Sequence, residues 1–395
     1  MAAPSTADRM LAACDLFIEA GTHLDTAGVA AAGSEQLARL ARCELAVVAF
    51  EGPDGISSAS YPHALPANVA ETLIRDGNTV SGRSSWLFSP DNRVASIRHG
   101  GTYRGAIAAV GPVDGDFTVI EEWLVLVVAR RLEAQLELID LHRQSLRDAQ
   151  IVHDAVLAGE MQQALLSKPT LRTGGVEMTA SLRPARHVGG DLYEVAEADG
   201  YPIGLVADVS GKGAPAAMLT TAVHAAARHA IAAAGPDPVD ILCRLGTEIA
   251  PLLDRTESIV TIAAAVVDPA ARSVTVASAG HSPVLVRRFG RVSPVEPSAP
   301  PPGVPNFDTG LRPTTFTLWP GDLVLIGSDG LTDQRSPHGG AFGTDRLHVS
   351  VEGLEAGPAE QNVASLFGVV DRFRAGAAQD DDQTALMIVI GEDDR

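Results

Sequence analysis

Helical spacing of apolar residues dominates the first 166 positions of this chain, and strand-like runs dominate the rest. Residues 8–21 place Leu11, Cys14, Phe17 and Ile18 on one helical face, and 26–42 do the same with Val29, Leu37 and Leu40. Residues 45–50 form a short apolar strand closed by Gly52-Pro53-Asp54-Gly55. A looser region follows to about residue 100. A strand at 104–110 then ends in the turn Gly111-Pro112-Val113-Asp114-Gly115-Asp116. Thr118 with Glu121 three residues on is a capping box, and it opens a helix through Ile120, Trp123, Leu124, Val127 and Val128.

From Leu132 to about Leu166 the pattern stays helical, with Gly159 its one glycine and Pro169 a firm stop. Leu132, Leu136, Ile139 and Leu146 give part of a seam, which Arg143 interrupts. The expectation is a long helix joining two domains, with dimerisation partly through residues 119–166 and with Leu136 and Ile139 in the interface. The alternative is a rigid spacer between independent domains. Beyond it, Val176, Met178, Ala180 and Leu182 alternate as a strand, and 203–209 is a buried one. An Ala-rich helix runs to about 234, and a second fits 238–254. Residues 259–267 and 274–279 read as a hairpin, with further strands at 323–326 and 384–390. Six prolines between positions 294 and 305 make that stretch a loop. Two helices among many strands at hairpin spacing predict an α+β fold with antiparallel sheets faced by helices rather than βαβ units.

Composition narrows the function. Apolar content of 46% with 20% charged residues suits well-cored domains, and 395 residues suit two of them. A net charge of −19 argues against nucleic acid or an anionic membrane as the main partner, since a phosphate backbone needs a basic face. Cys14, Cys43 and Cys243 are too scattered for a disulfide framework or a zinc site, which points to a reducing, cytoplasmic setting. No secretory signal is visible, and the apolar runs are too short to span a bilayer.

Chemistry concentrates in acidic residues at strand edges. Gly204-Leu205-Val206-Ala207-Asp208-Val209-Ser210-Gly211-Lys212-Gly213-Ala214-Pro215 runs from a buried strand through an aspartate and two glycines into a helix whose first turn suits Pro215. Asp191 follows Val188-Gly189-Gly190, Asp329 lies between Ser328 and Gly330, and Asp381-Asp382 precede the last strand. Taken singly, each is an ordinary turn or capping residue. Brought together, they would repel one another unless a cation compensated. The donors are all oxygens, so Mg²⁺ or Mn²⁺ fits and zinc does not.

The run Arg183-Pro184-Ala185-Arg186-His187-Val188-Gly189-Gly190-Asp191-Leu192-Tyr193 resembles the first motif of the SpoIIE-like PPM serine/threonine phosphatases. Ala207-Asp208-Val209-Ser210-Gly211-Lys212-Gly213 resembles the second. Ser278-Ala279-Gly280-His281-Ser282-Pro283, Gly321-Asp322 with Ser328-Asp329-Gly330, Phe342-Gly343 and Asp381-Asp382-Gln383-Thr384 resemble the later ones in order. The resemblance covers about residues 160–391. It implies a sandwich of two antiparallel sheets between helices, a two-ion site at one edge, and attack of water on phosphorus without a covalent intermediate. It also implies the site residues: Asp208 bridging both ions, the Val209 carbonyl and Asp191 on one, Asp329 and Asp381 on the other. Glu194 stands where an Asp is common, and Lys212 where a His is frequent. Lys212 attracts phosphate or is a solvated turn residue; Arg183 and Arg186 hold phosphate or pair with acidic neighbours. His281 reads as a structural turn histidine, Asp322 as a turn residue, and Asp382 as a residue behind the ligands or in a structural hydrogen bond.

Helix, helix, strand, irregular middle, strand, turn and capped helix is the order found in GAF sensory domains, and residues 104–136 resemble their last strand and closing helix. The organisation expected is a GAF-like regulatory domain at 1–132, a helical linker at 133–167 and the phosphatase domain at 168–395. The resemblance implies a phosphoserine or phosphothreonine substrate on a signalling protein, often a small STAS-domain anti-anti-sigma factor. The rival readings are a non-catalytic metal-binding scaffold and a small-molecule sensor with a weak output domain. A purely dimerising GAF-like part is a further alternative.

Overall fold

The computed structural model describes residues 25–52, 54–76, 89–211 and 213–391; the helix expected at 8–21 lies outside them. The chain divides into two compact units, Met1–Ile151 and Val152–Arg395. In the first, α1 (Thr26–Ala41) starts at Asp25, whose side chain accepts the Gly28 N–H. Strands β1 (Cys43–Gly52) and β2 (Gly55–Tyr61) form a hairpin, α2 (Ala67–Asp76) follows, and β3 (Arg93–His99) and β4 (Thr102–Pro112) complete the sheet. The strand order is β2-β1-β4-β3, antiparallel throughout.

β1 is apolar at successive positions because both its faces are covered. Ala46, Val48 and Phe50 join the core under α1 and the start of α3 (Val119–Leu165), while Val47 and Ala49 pack with Leu73 of α2. The strands at β2 and β3 were hidden in the looser region. Gly-Ile-Ser-Ser-Ala-Ser-Tyr of β2 is a half-exposed edge strand with small polar residues where alternation would show.

The capping box forms as expected: the Thr118 N–H donates to Glu121 Oε2 at 2.9 Å, and the Glu121 N–H to Thr118 Oγ1 at 3.4 Å. α3 then runs unbroken for 47 residues. One expectation is corrected here. Leu136 and Ile139 are 3% and 2% exposed and belong with Leu132 to the core of the first unit, so they present no interface. The apolar residues that α3 leaves in solvent are others, among them Leu138, Leu141, Leu146 and Ile151.

The second unit has four layers. One sheet runs β13-β10-β9-β8-β7 and the other β12-β11-β14-β15-β6-β5. Their strands, in chain order, are β5 (Thr170–Thr173), β6 (Val176–Arg183), β7 (Asp191–Ala198), β8 (Tyr201–Val209), β9 (Val260–Asp268), β10 (Ser273–Ala279), β11 (Val284–Arg288), β12 (Arg291–Pro294), β13 (Thr314–Thr317), β14 (Leu323–Gly327) and β15 (Gln383–Ile390). Helices α4 (Ala214–Ala234) and α5 (Pro238–Thr256) cover the first sheet; α6 (Gly343–Glu352) and α7 (Ala359–Arg374) cover the second.

β8 shows how the period of two builds the layers. Val206 points between the sheets with Met178, Ala263, Ile326 and Leu386, whereas Leu205 and Ala207 point outward under Val223, Ile241 and Leu245. Phe367 and Leu366 of α7 seal the other face against Leu325 and Met387, each worth about 1.5–3 kcal/mol of burial. Neither α6 nor α7 was expected from the sequence. Among the described residues no helix is long and apolar enough to cross a membrane.

Candidate active site

The ends of four strands meet at one edge of the sandwich. Asp191 opens β7, Asp208 lies next to the end of β8, and the register sets them directly opposite each other. On its other side Asp208 faces Thr261 of β9. The second sheet brings Ser328 and Asp329 just after β14 and Asp381 and Asp382 just before β15. Thr384 Oγ1 donates to Asp191 Oδ2 at 2.6 Å, tying the two sheets together at the carboxylate. All four expected aspartates therefore come to one place.

Tight backbone approach explains the glycines around them. A Cβ on Gly330 would lie 1.8 Å from the Asp382 carbonyl oxygen, and one on Gly190 would lie 2.5 Å from the Val209 carbonyl oxygen. Gly211 and Gly213 have φ of 109° and 80°, conformations that side chains resist. α3 also reaches the site. Gln162 Nε2 donates to the Gly189 carbonyl at 2.8 Å, and the Gly189 N–H donates back to Gln162 Oε1 at 3.1 Å. Thr220 of α4 donates to the Gly190 carbonyl at 3.1 Å.

Burial and crowding dominate the electrostatics. Asp191, 3% exposed, is pushed well above the usual carboxylate range by burial and then by the charge of Asp208, against hydrogen bonds from Thr384 and Ser328. Asp208 is pushed up to about 6 by burial and by the charges of Asp329 and Asp381, and its hydrogen bond with Asp191 pulls it down. Two carboxyl groups hydrogen-bond only by sharing a proton, so this edge is short of positive charge.

His281 lines a cavity of about 210 Å³ with Asp208, Thr261, Ser282, Asp329, Thr332 and Thr344. Its Nδ1 is 2.8 Å from Thr261 Oγ1, while Nε2 lies near the Gly327 carbonyl without a well-formed hydrogen bond. Complete burial lowers its pKa from 6.5 to about 4. A depressed histidine contributes stability that is present above pH 6.5 and is lost as pH falls toward 4, on the order of 3 kcal/mol. Urea unfolding at pH 7.5 and 4.5 should show a smaller acid loss in His281→Asn than in the parent chain. Equal losses would exclude His281 as the acid-sensitive group.

Other expected residues stand apart. Asp322 precedes β14, roughly 20 Å along the strand from Asp329, and accepts the Phe289 and Trp319 N–H groups in a turn. Buried Glu194 meets His224 Nε2 of α4 at 2.7 Å and holds a helix rather than an ion. Arg183 pairs with Asp371 at 2.9 Å and stacks over Phe367 at 4.1 Å, so it braces α7. Arg186, within the first motif, is exposed. Lys212 lies outside the described residues. The sequence reading missed Thr384 and Ser328 as partners of Asp191, although both stand inside the quoted motifs. It missed Gln162 because nothing in a helical pattern marks one glutamine.

The donor set fits divalent cations. Asp191, Asp208, Asp329, Asp381 and the Val209 carbonyl offer only oxygen, and the raised carboxylates are what a cation would relieve. Among the described residues no group of three or more Asp, Glu, His or Cys side chains is closed around a single point, so the fit is one of chemistry and placement.

Comparison with known proteins follows the same lines. Residues 199–390 match the family described as stage II sporulation protein E (SpoIIE). That span takes in Asp208, Asp329 and Asp381 and begins after Asp191. The phosphoserine phosphatase RsbU of Bacillus subtilis (strain 168) is 27% identical over 201 residues, 50% of this chain and 59% of that protein. The chain thus spans less than two thirds of the curated relative it matches. The solved SiaA-PP2C domain of Pseudomonas aeruginosa superposes with a TM-score of 0.55 at 25% identity, covering 62% of this chain and 98% of that one. The four-layered second unit is thereby a PP2C-type phosphatase domain. Within that class, residues 199–390 of the second unit are similar to the SpoIIE family.

Proposed function

We propose that this chain is a metal-dependent phosphoprotein phosphatase acting on phosphoserine or phosphothreonine. The observation that carries the reading is the meeting of four aspartates and the Val209 carbonyl at one sandwich edge. Asp191, Asp208 and Val209 would hold one Mn²⁺ or Mg²⁺ ion, and Asp208, Asp329 and Asp381 a second. Bound there, the ions would lower the pKa of water and offset charge on the phosphoryl oxygens. The chain's own groups do the rest. Thr384 and Ser328 orient Asp191. Arg186 of the first motif is exposed and would attract the phosphate. Thr261, Ser282, Thr332 and Thr344 offer neutral hydroxyls around the cavity.

The substrate we favour is a STAS-domain anti-anti-sigma factor in the cytoplasm, the class that the motif resemblance implies; the RsbU relative is named only as a phosphoserine phosphatase. The first unit is read as a GAF-like regulator. A cavity of about 240 Å³ between β1, β2 and α2, lined by Ser58, Ser60, Leu65 and Val69 among others, would suit a small ligand. Dimerisation would use the exposed face of α3, with Leu138 and Leu141 in place of the buried Leu136 and Ile139.

Excess EDTA should abolish hydrolysis of a phosphoserine protein, and Mn²⁺ or Mg²⁺ should restore it. Activity that persists in the chelator would sink the reading. Metal binding without any turnover would favour a non-catalytic scaffold.

A further inference from the structure

We propose that Asp382 is a positioning residue that moulds the first-motif loop and so sets the Asp191 side chain and the Val209 carbonyl for the ions. The proposal rests on the metal-dependent reading above. Asp382 is 8% exposed, and both its carboxylate oxygens are committed to that loop. Oδ1 accepts the Ala185 N–H at 2.8 Å. Oδ2 accepts the Gly190 N–H at 2.6 Å and, more distantly, the Asp191 N–H at 3.5 Å. Oxygens so occupied are poorly placed to ligate an ion, which separates Asp382 from its neighbour Asp381.

The fit is close on every side. A Cβ on Gly189 would lie 2.4 Å from Asp382 Oδ2, so only a glycine lets the loop settle over the carboxylate. The Asp382 carbonyl is held in turn by Ser328 Oγ at 3.2 Å and is grazed by Gly330. From Gly190 the contact passes directly to the second motif, because the Gly190 carbonyl accepts the Val209 N–H at 3.1 Å. The Asp382 N–H donates to Asp381 Oδ1 at 3.0 Å, so the same residue also orients Asp381. Asp382 thus links three of the segments that carry the proposed ligands: its carboxylate holds the first-motif loop, Gly190 passes the contact to Val209, and its own N–H holds Asp381. Groups that orient ligands in this way typically govern metal affinity more than the chemistry itself.

Asparagine keeps the shape of Asp382 but can accept on one side only, and its NH₂ would face a backbone N–H. In the full chain, Asp382→Asn should raise the Mn²⁺ dissociation constant measured by calorimetry by roughly 10–100-fold. It should bind as many ions as the parent, and its turnover should return to within a few-fold once Mn²⁺ is saturating. Asp381→Asn, the comparison, should stay inactive at any Mn²⁺ concentration. An unchanged dissociation constant in Asp382→Asn would overturn the proposal. So would the loss of one bound ion with no recovery, since that would make Asp382 a ligand. If Asp382→Asn does not fold, Asp382→Glu is titrated instead. It keeps the charge but lacks room for the extra methylene, so weakened Mn²⁺ binding supports positioning and parental binding refutes it. Failure of the parent chain itself to bind Mn²⁺ would instead remove the underlying metal reading.

Discussion

Replacing Asp208 with asparagine is expected to cut turnover by about 10³-fold or more, a loss of the size seen when a main electrostatic group is removed from a reaction centre. The same change should make the metal-free protein more stable. Asp208 is opposite Asp191 in the register and within the fields of Asp329, Asp381 and Asp382. Its carboxyl rises from 3.8 in the unfolded chain to about 6 in the fold. A raised carboxylate contributes its stability below the unfolded pKa and loses it as pH climbs through the folded one. The penalty therefore accumulates between pH 4 and 6 and is complete at pH 7.5. Asparagine has no charge to bury, so in EDTA at pH 7.5 the variant should gain on the order of 1–3 kcal/mol, and much less at pH 4. Steady-state kinetics with Mn²⁺ and urea unfolding in EDTA measure the two arms. Asp322→Asn is the control. Asp322 is likewise a buried aspartate, 4% exposed, but it only braces a turn at the far end of β14, so its loss should lower stability and spare turnover. Similar kinetic losses in both variants would mean that the reaction centre lies elsewhere.

Legibility of the fold followed how strongly each segment is buried. β8 and β15 were plain because they are covered on both faces and read as apolar runs bordered by aspartates, at the end of β8 and just before β15. α6 and α7 were not seen. Five of the ten residues in Gly-Thr-Asp-Arg-Leu-His-Val-Ser-Val-Glu are exposed, and only Leu347 and Val351 of α6 are buried, too few to mark a face. The site was legible as a set of Asp-Gly punctuations, whose convergence depended on a pairing of two sheets that no local pattern displays. Leu136 and Ile139 illustrate the converse error. Their helical spacing was read correctly as an apolar face, but spacing does not say whether that face meets a second chain or the sheet beneath it. In this protein it meets the sheet's core.

The other large effect is expected from Gly159, the single glycine of α3, at a position where helix propensity alone points the wrong way. In an exposed helix, Gly→Ala adds roughly 1 kcal/mol of stability. Gly159 is buried, however, and a Cβ there would stand 1.9 Å from the His187 carbonyl oxygen and 2.9 Å from its carbon. Carbon and oxygen approach no closer than about 3.3 Å without strain, so helix and loop must part by more than an ångström. Gln162 lies one turn further along the same helix, and its paired hydrogen bonds to Gly189 would lengthen or break. Asp191 is two residues beyond Gly189, and a displacement of about 1 Å at reacting groups can cost 10²-fold. Gly159→Ala should therefore keep its helix content and lose about 10²-fold in turnover, with faster amide exchange over residues 187–190. Gln162→Leu, which removes the hydrogen bonds without the clash, should show the same direction at smaller size. A Gly159→Ala chain that is more stable and fully active would show that the end of α3 merely rests against the loop and does not hold it.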